Sequence, residues 1–129
     1  MAARREVGAA TANDGPRRSL AGIPQIVSGA EHATFINTFR CEPSSQDEVV
    51  RINIAIVDEV APAFPGFISA AVHRSTDGTR VFNYLQWESA EHLAAMQRSP
   101  EFQAFARRFT GMIEFEPHEC EVAHVGERG

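Results

Sequence analysis

One segment, residues 75–89, constrains the fold of this chain most strongly. It reads STDGTRVFNYLQWES, in which an Asp77-Gly78 pair typical of a hairpin turn leads into a strand-like run. Side chains alternate along a strand, so one face of this run carries Val81, Asn83, Leu85 and Trp87. Asparagine is rare on such a face, because a buried amide without partners costs about 1–3 kcal/mol. An amide beside an aliphatic side chain and an indole N–H indicates the wall of a pocket.

The composition excludes several classes of function. With 129 residues, 43% of them hydrophobic, the chain has the material for one globular domain. The net charge of −5 and the lack of a basic face argue against nucleic acid as a partner. No apolar run is long enough to span a membrane. All 12 basic residues are arginine, which rules out Schiff-base lysines and the P-loop lysine. Two cysteines, Cys41 and Cys120, are too few for a disulfide framework, so we expect free thiols in a cytoplasmic protein. His118, Cys120 and His124 share a strand face by parity, but nothing elsewhere completes a four-ligand shell, so we expect no metal site.

Three regions follow from the change in sequence character along the chain. Residues 1–30 are rich in Ala, Gly, Arg and Ser without periodicity, and we interpret them as an N-terminal extension or arm. Residues 31–126 form the predicted domain, and residues 127–129 are a short tail. Within the domain, strands are predicted at residues 33–40, 66–74, 80–88 and from 112 to about 125, with Pro117 disturbing the pairing of the last.

Two helices are predicted between these strands. The first runs from Ser45 to about Val60, because Ser45 and Glu48 form a capping box ahead of an apolar face with 3–4 spacing. The second begins with Ser89 as its N-cap and is divided at Pro100, since proline suits the first turn of a new helix. The resulting order, β-α-β-β-α-β, is the ferredoxin-like α+β fold.

The second face of the predicted sheet indicates a partner. Phe82 and Tyr84 alternate with the pocket residues and therefore point away from the helices. An exposed sheet face that carries aromatic side chains would be a large apolar patch. We therefore expect a homodimer that packs sheet against sheet.

Two motifs carry a family resemblance that covers roughly residues 33–125. With PGF at residues 65–67 and NYLQWES at residues 83–89, the chain resembles the antibiotic biosynthesis monooxygenase family. Residues 72–89, VHRSTDGTRVFNYLQWES, are most similar to its quinone-forming members in actinorhodin and anthraquinone biosynthesis. The resemblance implies a dimeric α+β barrel, and a homodimeric enzyme that tailors a polyketide antibiotic by oxidising a polycyclic phenol or anthrone to a quinone. It implies molecular oxygen as co-substrate and no flavin, haem or metal cofactor.

The resemblance also implies roles for individual residues. Asn83 would donate its amide to a substrate oxygen, Trp87 would donate its indole N–H and stack on the substrate, and His73 would take a proton or stabilise the anion. The apolar face of the second helix would bind the aromatic substrate, and Arg107 or Arg108 would add positive charge. The further substrate-binding candidates are thus Leu93, Met96, Phe105 and Arg107.

Other interpretations of the same residues stay open. A core tryptophan, an asparagine at a strand bulge, a surface histidine and an arginine pair at a helix C-terminus would explain them without any chemistry. A polyketide cyclase or isomerase, or a non-catalytic dimer that binds a small molecule, is compatible with the same fold, because fold alone does not determine function.

Overall fold

The computed structural model describes residues 32–128, so the predicted extension at residues 1–30 lies outside them and the predicted domain boundaries stay predictions. The elements, in chain order, are β1 (Ala33–Cys41), α1 (Gln46–Ala55), β2 (Phe67–Arg74), β3 (Arg80–Trp87), α2 (Ala90–Gln97), α3 (Pro100–Ala106) and β4 (Ile113–Cys120). None of the helices in this range is long and apolar enough to span a membrane.

The four strands form one antiparallel sheet in the order β2-β3-β1-β4. The two central strands are therefore β1 and β3. The helices lie on one face of the sheet. The prediction of a ferredoxin-like α+β fold is confirmed.

The helix-covered face holds two apolar clusters. One is built around Phe35, Leu85 and Trp87, and the other around Phe39 and Val81. On both central strands an asparagine occupies the position between the two clusters, because it falls between inward-facing apolar residues of the same strand. The sheet therefore presents a polar point in the middle of its apolar face.

The start of α1 differs from the predicted capping box. A turn of 3₁₀-helix at Pro43–Ser45 precedes α1, and the Ser45 side chain makes no capping hydrogen bond. Glu48 accepts hydrogen bonds from Arg51 at 3.0 Å and from Arg108 at 2.7 Å instead of reaching back to Ser45. The capping-box prediction was wrong because Ser45 already belongs to the preceding helical turn.

The end of α1 also departs from a regular helix. The α-helical hydrogen bonding stops at Ala55, and a π-helical segment, Ile56–Val60, follows within the predicted helix. The backbone N–H of Ala61 donates to the Ile56 carbonyl, five residues earlier. Single π-turns of this kind are frequent at functional sites.

The predicted N-cap of the second helical region is confirmed, because Ser89 accepts a hydrogen bond from the His92 backbone N–H at 3.2 Å. Ser99, which was not predicted as a cap, accepts one from the Phe102 N–H at 3.1 Å. Pro100 occupies the first turn of α3, so the region is divided where the sequence predicts.

The last strand is shorter and more regular than expected. β4 ends at Cys120 instead of near Val125, and Pro117 pairs in register with Asn37. The predicted disturbance at Pro117 is absent because β4 is an edge strand of this sheet, where the missing N–H of a proline is tolerated.

Candidate active site

A cavity of about 270 Å³ lies between the sheet and the helices. Its walls are mainly aliphatic and aromatic side chains from both layers. The polar groups among the described residues that line it are Asn37, Asn53, Asn83, Gln97 and the indole of Trp87. None of the described lining residues has an ionisable side chain. The cavity is thus an apolar container with a small set of neutral hydrogen-bonding groups, as is typical of small-molecule sites.

Asn83 is held by its neighbour across the sheet. In the register of β1 and β3, Asn37 and Asn83 lie directly opposite each other, and both are 7% exposed. The Asn37 Nδ2 donates to the Asn83 Oδ1 at 2.8 Å. The amide of Asn83 is therefore positioned by a strand pair and not by a flexible loop.

A third asparagine joins from the helical layer. The Asn83 Nδ2 donates to the Asn53 Oδ1 at 2.8 Å, and the Asn53 Nδ2 donates to the Val49 carbonyl at 3.0 Å. Asn53 is 2% exposed, so this amide chain is buried and largely satisfied, as buried polar groups must be. We call Asn37, Asn83 and Asn53 the amide chain.

Two members of the amide chain, Asn37 and Asn53, were not predicted from the sequence. The signal that identified Asn83 applies to both: Asn37 lies between Phe35 and Phe39 on the inward face of β1, and Asn53 lies on the buried face of α1. A single asparagine on the apolar face of a strand or helix is expected to be buried and hydrogen-bonded to another buried polar group.

Trp87 presents an unpartnered donor. Its side chain is 1% exposed and packs edge-on against Phe67, with ring centroids 5.2 Å apart. Its Nε1 is buried and has no hydrogen-bond partner among the residues that the structure describes. Trp87 also lines the cavity, so its indole borders any ligand bound there.

His73 does not reach this cavity, which corrects the sequence-based prediction. In the register of β2 and β3 it lies opposite Phe82, whereas Val72 lies opposite Asn83. Neighbouring residues of a strand point to opposite faces, so His73 is exposed on the open face of the sheet.

Arg107 is also away from the cavity wall. It lies in a short 3₁₀ turn after α3 and is exposed. Arg108 pairs with Glu48 at 2.7 Å, and the hydrogen bonds from Arg108 and Arg51 lower the pKa of the Glu48 carboxyl. Neither arginine therefore supplies charge to the cavity in this chain.

The remaining substrate-binding candidates divide into two groups. Leu93 and Met96 of α2 are buried and line the cavity. Phe105 instead packs against both apolar clusters behind the wall, and Phe102 and Phe109 contribute to the wall from the same helical region. The apolar face of the second helical region thus lines the cavity, but through Phe102 and Phe109 and not through the predicted Phe105.

Comparisons with known proteins identify relatives of this chain. The family model described as antibiotic biosynthesis monooxygenase matches residues 33–108. The tetracenomycin-F1 monooxygenase of Streptomyces glaucescens is 33% identical over 91 residues, which cover 70% of this chain and 81% of the relative.

Solved structures share the fold. SnoaB, a cofactor-independent oxygenase from Streptomyces nogalater, superimposes with a TM-score of 0.62 at 19% identity, covering 74% of this chain and 97% of SnoaB. A conserved protein from Methanosarcina mazei Go1 gives a TM-score of 0.62 at 14% identity, covering 70% and 91% of the two chains.

Proposed function

This chain belongs to the antibiotic biosynthesis monooxygenase family, and we propose that it is a cofactor-independent member that oxidises a polycyclic phenol or anthrone to a quinone. The relative named as a tetracenomycin-F1 monooxygenase supports an aromatic polyketide as the substrate class. The quinone product rests on the resemblance of residues 72–89 to quinone-forming members of the family.

The observation that carries this proposal is that Asn83 and Trp87, whose N–H has no partner among the described residues, both line a cavity whose described lining residues include no ionisable side chain. Two neutral hydrogen-bond donors in an apolar cavity favour a ligand that carries a negative charge on an oxygen atom. In a site of low polarity such hydrogen bonds are stronger than in water. Donation to the ionised form lowers the pKa of a bound phenol or enol, so the anion forms more readily in the site.

The reaction balances without a cofactor. Oxidation of an anthrone methylene to a carbonyl removes four electrons, and the reduction of O₂ consumes four. One oxygen atom enters the new carbonyl, and the other leaves as water with the two methylene hydrogens. The substrate anion is the reductant, and the protein binds it, orients its oxygen against Asn83 and Trp87 and excludes water through the surrounding apolar side chains.

We also propose a homodimer that forms through the open face of the sheet. Ile36 on that face is 41% exposed, and it lies opposite Tyr84. A second sheet would cover these side chains.

The test is oxygen uptake with 1,8-dihydroxyanthrone, using protein freed of metal by chelation and free of flavin absorbance. We expect one O₂ consumed and one quinone formed per turnover, with one ¹⁸O atom from ¹⁸O₂ in the product. A protein-free sample corrects for spontaneous oxidation. Equal turnover without oxygen would instead indicate a cyclase or isomerase, and binding without any product would indicate a non-catalytic binding protein.

A further inference from the structure

The amide chain has a direction, and one backbone group sets it. A backbone carbonyl can only accept a hydrogen bond, so the group of Asn53 that contacts the Val49 carbonyl must be its NH₂. The oxygen of Asn53 then faces Asn83 and must receive an N–H from it. The oxygen of Asn83 in turn faces Asn37 and receives the Asn37 N–H.

The direction decides what Asn83 offers to a ligand. Asn53 belongs to α1, above the cavity, whereas Asn37 belongs to the sheet. The Asn83 nitrogen therefore points across the space between the two layers, and its oxygen stays along the sheet. An NH₂ group carries two hydrogens, and only one of those on Asn83 is used by Asn53. If the chain ran the other way, Asn83 would turn a carbonyl toward the cavity and repel a ligand anion.

We infer that Asn53 is a positioning residue that fixes Asn83 with its N–H toward the cavity, which makes the site selective for ligands with an acceptor oxygen. Asn53 gains this role because Val49, one helical turn earlier, gives it a partner of fixed polarity. The inference rests on the proposed function and adds to it a device that selects ligand chemistry.

Two substitutions at Asn53 separate positioning from packing. Asn53→Leu fills a similar volume but gives Asn83 no acceptor. Asn37 can both donate and accept, so the hydrogen-bonded Asn37–Asn83 pair can then flip together and reverse the Asn83 amide. Asn53→Asp keeps the shape and, when protonated, keeps the direction: its O–H donates to the Val49 carbonyl and its C=O accepts from Asn83. When it ionises, the carboxylate faces the Val49 carbonyl and places a negative charge near the ligand anion. Burial at this position raises the pKa of the introduced carboxyl.

We expect Asn53→Leu to lower kcat for 1,8-dihydroxyanthrone at least tenfold with a smaller change in KM. Asn53→Asp should retain near-wild-type kcat at low pH and lose it as the pH rises, an ionisation that the wild-type profile lacks. Ile52→Val is the matched control, because Ile52 is fully buried in α1 but does not line the cavity. A packing role alone would give Asn53→Asp the pH profile of the wild type, and that result would overturn the inference.

A binding experiment keeps the test independent of turnover. The chain has one tryptophan, so its indole N–H gives one resonance that reports cavity occupancy by NMR. We expect 1-tetralone, which has an acceptor oxygen, to bind the wild type more tightly than tetralin, which has none, and Asn53→Leu to reduce that preference severalfold. Equal preference in wild type and Asn53→Leu would refute the positioning role. Intact preference without anthrone oxidation would refute the proposed reaction alone.

Discussion

Asn83 and Trp87 lie four residues apart on the same face of β3, yet their polar groups are in opposite situations. The Asn83 amide is bonded on both sides, to Asn37 and to Asn53. The Trp87 N–H has no partner among the described residues. Removing one donor or the other should therefore affect turnover in the same direction and stability in different ways.

Trp87→Phe should lower turnover without a comparable loss of stability. The substitution removes the indole N–H, and the loss of one donor to a developing oxyanion costs about 10²–10³ in kcat. It also removes a buried donor whose unsatisfied state costs about 1–3 kcal/mol, which offsets much of the loss of ring volume. Oxygen uptake and urea unfolding check both parts. Wild-type turnover would remove Trp87 from the proposed mechanism.

Asn83→Ala should lower both turnover and stability. The truncation strands the Asn37 N–H and the Asn53 oxygen, and each buried group left without a partner costs about 1–3 kcal/mol. We expect a lower urea midpoint than for Trp87→Phe, and kcat reduced to a similar extent. An Asn83→Ala protein as stable as the wild type would contradict the buried amide chain described above.

Tyr84→Glu should disrupt the proposed homodimer. Tyr84 is on the open face of the sheet, and a carboxylate there would be buried without a partner in a sheet-on-sheet interface, at a cost of several kcal/mol. Light scattering after size exclusion measures the mass. Gln103→Glu, on the exposed side of α3, adds the same charge elsewhere and should leave the mass unchanged. A Tyr84→Glu protein with an unchanged dimer mass would argue against this interface.

The hairpin turn should make stability depend on acid pH. Hydrogen bonds from Ser75 and Thr79 lower the pKa of Asp77 from its usual 3.8 to about 2. A depressed folded-state pKa means that the carboxylate stabilises the fold above the unfolded value of 3.8 and that this contribution is lost as the pH falls to about 2. Asp77→Ala should thus be less stable than wild type at neutral pH and equally stable near pH 2. Urea unfolding at several pH values tests this, and a difference that persists at pH 2 would count against it.

The face of β3 was predictable because it depends only on local alternation. The exclusion of His73 from the cavity was not, because a shift of one residue in the β2–β3 register moves it to the other face. Register is set by the turn and by packing across the sheet, neither of which the period of one strand contains.

The partners of Asn83 were not predictable for a related reason. Asn37 and Asn53 are 46 and 30 residues away in sequence, and only the fold brings their amides within hydrogen-bonding distance. The Ser89 cap, in contrast, bonds to a residue three positions along, so the sequence alone was sufficient to predict it.

The π-helical segment Ile56–Val60 lies in the helical layer that covers the cavity, and the insertion or deletion of one residue there would change the length of that cover. Such a segment corresponds to a single extra residue in an α-helix, and cavity-lining residues lie on both sides of it, Asn53 before it and Ala61 just after it. Deleting one residue there would rewind the backbone and rotate Ala61 by about 100° about the helix axis. One-residue insertions and deletions there would therefore change the size of ligand that the cavity can hold. The amide chain of Asn37, Asn83 and Asn53 need not change.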